Sequence, residues 1–275
     1  MSTATQNRPT PVREFKSELR KLTSLRSTWI QSAIVIVLYL LITFLIVQGL
    51  KSAISNSYAS QEDFEMLGSS YIVNSMFQLA VLFGIAFGTM SMTAEYSHNT
   101  IQTSLLASRS RMAFYATKLL VLAVFWGAVS AVMLLLSSLL VQVTAGGTGV
   151  SLPFGDIQFW IPLLSCVLVL VMTTLMSAAF GAVLRSTVGT VTLMFGLVLI
   201  LPIVELIPLD FIDDLKPYFP INVMTAAVTP RDSPLAQSVV TSDYSLDPNV
   251  ALLVLAAYTA IVIALGAISL KRRDA

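Results

Sequence analysis

From Ser27 to Leu50 the chain carries no charged residue. The same holds from Tyr71 to Thr93, Leu119 to Val143, Ile157 to Leu184, Val188 to Val204 and Val250 to Leu270. A helix needs about 20 apolar residues to cross the hydrocarbon core of a bilayer. Backbone amides inside lipid must find their partners within their own segment, so each run is expected as a spanning helix. The expected architecture is an all-α integral membrane domain over residues 1–275. Its spans are placed at 29–50, 71–93, 119–143, 157–184, 188–205 and 250–270, with residues 1–28 as a tail and interfacial helix.

Composition removes the main alternatives. Only 11% of residues are charged and 56% are hydrophobic, whereas a soluble domain carries about 25% charged residues. A secreted, cytosolic or nucleic-acid-binding domain is excluded as the main reading. The lone Cys166 rules out an internal disulfide, and with the lone His98 it rules out a multi-cysteine or multi-histidine metal cage. The first apolar run starts only after Arg26 and is too long for a signal-peptide core, so it reads as an uncleaved anchor.

Lysine and arginine orient the spans. With the N-terminus inside, thirteen of the sixteen basic residues fall on the cytoplasmic side, leaving Lys51, Lys216 and Arg231 outside. Both termini are therefore expected in the cytoplasm.

Three connecting segments carry further signals. Val12, Phe15, Leu19, Leu22, Leu25 and Trp29 recur at helical spacing, while Arg13, Lys16, Arg20, Lys21 and Arg26 fall largely elsewhere. That pattern predicts an amphipathic helix in the inner headgroup layer, with Thr10 as its cap and Pro11 in its first turn. The loop from Ala94 to Thr117 holds a short helix around Thr100, Ile101 and Leu105, and a turn near Ser108. The segment from Leu206 to Asn249 is too apolar for a solvated linker, and Pro208, Pro217 and Pro220 forbid one long helix. Short re-entrant helices over Pro208 to Met224 are expected instead, with Asp210 free to cap the one it precedes.

No catalytic pattern is present. The sequence has no H-E-x-x-H, no G-x-S-x-G and no G-x-x-x-x-G-K-[ST] phosphate loop. No ionisable residue lies near the middle of an expected span, which disfavours a carrier with its own coupling ion. Glu205 reads as an interfacial carboxylate, Cys166 as a buried small apolar residue, and His98 as a solvated loop residue. Gly84 and Gly88 form a small face suited to helix packing.

These pieces resemble the type-2 ABC exporter permeases. Ser17-Glu18-Leu19-Arg20-Lys21-Leu22 with Leu25-Arg26-Ser27-Thr28-Trp29 looks like the start of permeases common in actinobacteria. Ala94-Glu95-Tyr96, Thr100-Ile101, Leu105-Leu106-Ala107, Arg109 and Lys118 resemble the loop that the family uses for coupling. Tyr218-Phe219-Pro220-Ile221-Asn222 looks like the motif between its last two spans. Asn99 and Ser108 stand where the family often has Gly and Pro.

The resemblance implies a transport subunit in a bacterial plasma membrane that is not itself an enzyme. A second permease, as a homodimer or related heterodimer, would complete the path. Two ATPase subunits on separate chains would bind ATP and magnesium, with no cofactor on this chain. Glu95, Tyr96, Thr100, Ile101, Leu105 and Arg109 would then form the ATPase-coupling loop. Phe15, Leu19, Lys21, Leu22 and Arg26 would form the interfacial helix against membrane lipid. Phe211, Tyr218, Phe219, Pro220 and Asn222 would form an outer gate. A path without charges suits a hydrophobic or amphipathic cargo such as a lipid, peptide or drug-like molecule. The competing readings are a six-span scaffold or sensor without transport, and a membrane-embedded enzyme.

Overall fold

The structure is a computed structural model that describes residues 10–56, 69–97, 110–145, 152–206, 210–230 and 246–272. Every regular element among them is a helix. Six are long and apolar enough to cross a membrane, which is the architecture of a multi-pass membrane protein.

Helix α1 (Pro11–Ser24) starts with Pro11 in its first turn. The Thr10 carbonyl accepts the amides of Arg13 and Glu14, but its hydroxyl makes no cap bond, so the expected side-chain cap is not formed. The chain is extended at Leu25 before α2 (Arg26–Ser55) begins. The apolar stripe expected to run on through Leu25 and Trp29 is therefore broken between two helices. The Thr23 and Ser24 hydroxyls donate back to the carbonyls of Leu19 and Lys21, at 2.9 Å each, which weakens the helix there. The Trp29 indole spans the break by donating to the Thr23 carbonyl at 2.8 Å.

The second span is two helices. α3 (Ser69–Asn74) and α4 (Phe77–Ser97) are separated by a turn at Ser75 and Met76. Tyr39 of α2 donates its hydroxyl to the Val73 carbonyl at this break, 2.7 Å away. α5 (Arg111–Thr144) is capped by Ser110, whose hydroxyl accepts the Ala113 amide at 3.1 Å. Helix thus reaches Ser97 and resumes at Arg111, so both ends of the expected Ala94 to Thr117 loop are helical. α6 (Ile157–Leu184) matches its expected limits. Asp156 caps its start, and Arg185 closes it in the left-handed region at φ 53°.

α7 (Thr187–Phe195) is followed by a π turn at Gly196–Ile200 and a 3-10 turn at Leu201–Leu206. Pro202 explains the change. It has no amide to donate, and its ring would clash with the carbonyl four residues back, so the helix widens before it. α8 (Asp210–Leu215), a 3-10 turn (Lys216–Tyr218) and α9 (Pro220–Val228) follow, and α10 (Pro248–Arg272) completes the chain of helices.

α6 is the central post. It packs against α4 and α10 most extensively, and also against α3, α5 and α9. Glycine makes the closest approach possible: a Cβ on Gly88 would sit 2.2 Å from the Thr174 carbonyl oxygen, and one on Gly84 2.6 Å from the Thr174 hydroxyl. Thr89 and Ser177 share a hydrogen bond at 2.6 Å across the same seam. The expected helix-packing role of the two glycines is met, and Cys166 is fully buried as expected. α2 leans on α5, and α7 keeps most of its surface outward. Val37, Leu139, Val188 and Leu253 are exposed on the outer surface, as suits contact with lipid.

Candidate functional site

The end of the bundle that carries α1 holds a cluster of charges. Glu95 sits in the last turn of α4, and Lys118 in the second turn of α5. α1 lies against α5 and brings Glu18 and Lys21, one turn apart, to the same point. Lys118 Nζ is 2.6 Å from Glu95 Oε1 and 3.8 Å from Glu18 Oε2. Lys21 Nζ bonds the same Glu95 oxygen. Lys118 also lies 5.4 Å from the centre of the Phe114 ring.

Glu95 is 4% exposed and Lys118 6%, whereas the Lys21 side chain is 45% exposed. Two carboxylates and two ammonium groups balance, which is what makes burial of the inner pair tolerable. The cluster ties three helices with one carboxylate. Beneath it a cleft of about 200 Å³ opens between α1 and the bundle, lined by Leu22, Leu25, Thr28, Gln31, Met90 and Val121 among others.

Tyr96 follows on the adjoining face. The Arg185 guanidinium lies 5.2 Å from its ring centre, in cation–π range, and Arg185 Nε and Nη2 are buried without a hydrogen-bond partner. Thr93 and Thr187 join their hydroxyls at 2.7 Å beside it, linking α4 to α7.

Of the residues assigned to the coupling loop, Glu95 meets Lys21 of the helix assigned to the interface, and Tyr96 lies against Arg185. Thr100, Ile101, Leu105, Arg109 and His98 lie outside the described residues. Phe15, Leu19 and Leu22 are half-buried on the inner side of α1, and Arg26 is exposed at the start of α2. The sequence reading counts Arg185 only among the cytoplasmic basic residues, and pairs neither Glu18 with Lys118 nor Arg185 with Tyr96. An Arg between two apolar runs, with no glycine to end the first, was the one available signal for the latter.

At the opposite end, the residues assigned to the outer gate divide. Phe211 and Tyr218 are exposed on the protein surface, as is Leu215, whereas the neighbouring Ile212, Ile221 and Val223 are buried. Phe219 and Pro220 are half-buried. Asn222 donates from Nδ2 to Glu205 Oε1 at 2.7 Å and to the Lys216 carbonyl at 2.8 Å, closing α9 onto the end of the fifth span. Glu205 is therefore an acceptor for Asn222, a role the sequence reading missed. Tyr258 donates to the Tyr218 carbonyl at 2.9 Å. Ten residues separate Tyr258 from the first residue of α10, about 15 Å along the helix axis. Lys216 pairs with Asp213 at 2.5 Å. Among the described residues, no group of three or more His, Cys, Asp or Glu side chains forms a metal centre.

A family model described as "Protein of unknown function (DUF2705)" matches residues 58–275, from the end of the first span to the last residue. No curated protein matches the chain.

Proposed function

We propose that this chain, which belongs to the DUF2705 family, is the membrane subunit of an ATP-driven exporter and works with ATPase subunits on separate chains. The observation that carries the reading is the Glu95 cluster. One buried carboxylate bonds Lys21 of α1 and Lys118 of α5 at the point where α4 runs out. A push on α1, or on the segment after α4, would reach α4 and α5 through these ion pairs, of which the Lys118–Glu95 bond is almost wholly desolvated. The sequence holds no phosphate-binding loop of its own, so such a push would come from a partner.

In this reading both termini are cytoplasmic, in line with the distribution of lysine and arginine. α1 lies in the inner headgroup layer with its half-buried apolar side against the bundle. Two copies, or this chain and a related one, flank the path, and each rests on one ATPase that holds ATP and magnesium. α8 and α9 act as re-entrant helices that narrow the outer end. The depth of the Tyr218–Tyr258 contact along α10 supports that placement. The apolar outward surfaces and sparse charges favour a hydrophobic or amphipathic cargo.

The test is reconstitution. The chain is co-expressed with candidate P-loop ATPases, purified and placed in lipid nanodiscs. Cargo-stimulated ATP hydrolysis that falls in Glu95→Ala at equal insertion supports the reading. An assembled complex whose hydrolysis ignores every cargo points to a sensor or scaffold, and failure of any ATPase to bind overturns the proposal.

A further inference from the structure

Asn74 ends α3 inside the bundle, 3% exposed, and neither its amide nitrogen nor its amide oxygen has a hydrogen-bond partner. Buried amides are almost always satisfied, so an orphaned one marks a place where something else supplies the bonds. Asn74 lines a cavity of about 130 Å³ between the α3–α4 break and α9, with Tyr71, Ser75, Gln78, Thr225 and Thr229. That is space enough for several waters.

The lining is rich in oxygen acceptors, beside the donors of Tyr71 and Gln78. Ser75 donates its hydroxyl proton to the Ile72 carbonyl, Thr225 to Ile221 and Thr229 to Thr225, each at 2.8 Å. With those protons spent on their own helices, the three oxygens have only lone pairs left to offer. The Asn74 oxygen adds a fourth acceptor. Among the described residues, no lysine or arginine lines the cavity, which disfavours an anion, and no carboxylate lines it, which disfavours a divalent ion. Gln78 is exposed and places the cavity mouth at the surface of the bundle.

We propose that this cavity binds a singly charged cation, an alkali ion or a primary ammonium group, through neutral oxygens of Asn74, Ser75, Thr225 and Thr229. The site joins the two interrupted pieces of the bundle, the break in the second span and the C-terminal half of α9. Broken spanning helices are where membrane proteins coordinate small ions. A water held by the cation accepts from the Asn74 nitrogen, so both halves of the amide are satisfied.

The experiment uses the full chain alone in zwitterionic nanodiscs, so its outcome is independent of any ATPase. N-methylglucamine chloride is replaced stepwise, at constant ionic strength, by sodium, potassium or methylammonium chloride, and thermal unfolding is followed. At least one of the three is expected to raise the midpoint saturably. At 100 times its dissociation constant it should raise the folded-to-unfolded ratio about 100-fold. A response to sodium or potassium alone assigns an alkali ion, and one to methylammonium alone assigns an ammonium head group. Asn74→Leu should abolish the response without lowering the midpoint in N-methylglucamine. Thr225→Val, nearly isosteric, should weaken the response at least tenfold and serves if the first variant does not fold. Equal midpoints in all four salts, or an unchanged response in both variants, overturns the proposal.

Discussion

Lys118 and Glu95 lie 2.6 Å apart with both side chains almost wholly covered, while the third member of the group, Lys21, keeps nearly half of its side chain in the open. The two bonds to one carboxylate should therefore differ in energy. The inner pair is shielded from water and salt, and the outer one is partly screened.

Lys118→Met leaves Glu95 with the partly exposed Lys21, and Glu95→Leu leaves Lys118 with Glu18 at 3.8 Å. Each is expected to destabilise, but by less than the roughly 3–5 kcal/mol of a buried charge left with no partner. The double variant should recover most of the loss. Unfolding of all four proteins in detergent, compared as a cycle, measures the coupling; additive losses would show that the pair is not linked.

Lys21→Ala should behave differently. A partly exposed ion pair contributes about 0–1 kcal/mol, so stability should change little. If α1 transmits force through this bond, coupled ATP hydrolysis should still fall. A variant that keeps both full stability and full coupling would remove Lys21 from the proposed role.

The α4–α6 seam makes a sharp distinction among glycines. A Cβ at position 88 would lie 2.2 Å from a backbone oxygen, which no side-chain movement relieves. Gly88→Ala should force the helices apart and cost at least the roughly 1–3 kcal/mol typical of overpacking. Gly49→Ala, with nothing within 4 Å of the added carbon, should be neutral or slightly stabilising. Yields of folded monomer by gel filtration and melting curves for the two variants should separate clearly.

The Asn222–Glu205 bond fixes α9 against the end of the fifth span. Asn222→Asp places a second carboxylate there and should loosen α8 and the turn after it. Hydrogen exchange over residues 210–218 is expected to accelerate at neutral pH relative to the unsubstituted chain. Unchanged exchange would mean that the turn is held by the Tyr218–Tyr258 contact alone.

Topology is open to direct labelling. In a Cys166→Ser background, Asn56→Cys, exposed past the end of α2, should react with an impermeant reagent from outside the cell. Ser24→Cys at the end of α1 should react only after the membrane is opened. The reverse pattern would invert the proposed orientation.

The spans were legible because lipid imposes a length and an apolar content that a sequence cannot disguise. Interruptions inside them were not. The break at Ser75 and Met76 is marked only by the polar pair Asn74-Ser75 inside an otherwise apolar run. The end of α1 at Ser24 is hidden because the apolar spacing continues through Leu25 and Trp29 across the break. In the site, Glu95 and Lys21 were singled out separately, but their contact depends on the path of the chain between them. Glu18 and Lys118 looked like ordinary charges at the water's edge. Only the extension of α4 and α5 beyond the apolar runs draws them inward, where each ion gives the other a reason to be buried.

The π turn at Gly196–Ile200 has a consequence for how this family can vary in length. A π turn accommodates one residue more than an α turn does, so it shifts the phase of everything after it by about 100°. Deleting one residue between 196 and 200 would remove the extra residue of the wide turn, shorten the segment by about 1.5 Å and swing Glu205 away from Asn222. A change that looks harmless inside a featureless apolar run would thus release α9 from the fifth span. Relatives that keep the Glu205–Asn222 bond should tolerate many apolar substitutions in that stretch, but no gap of a single residue.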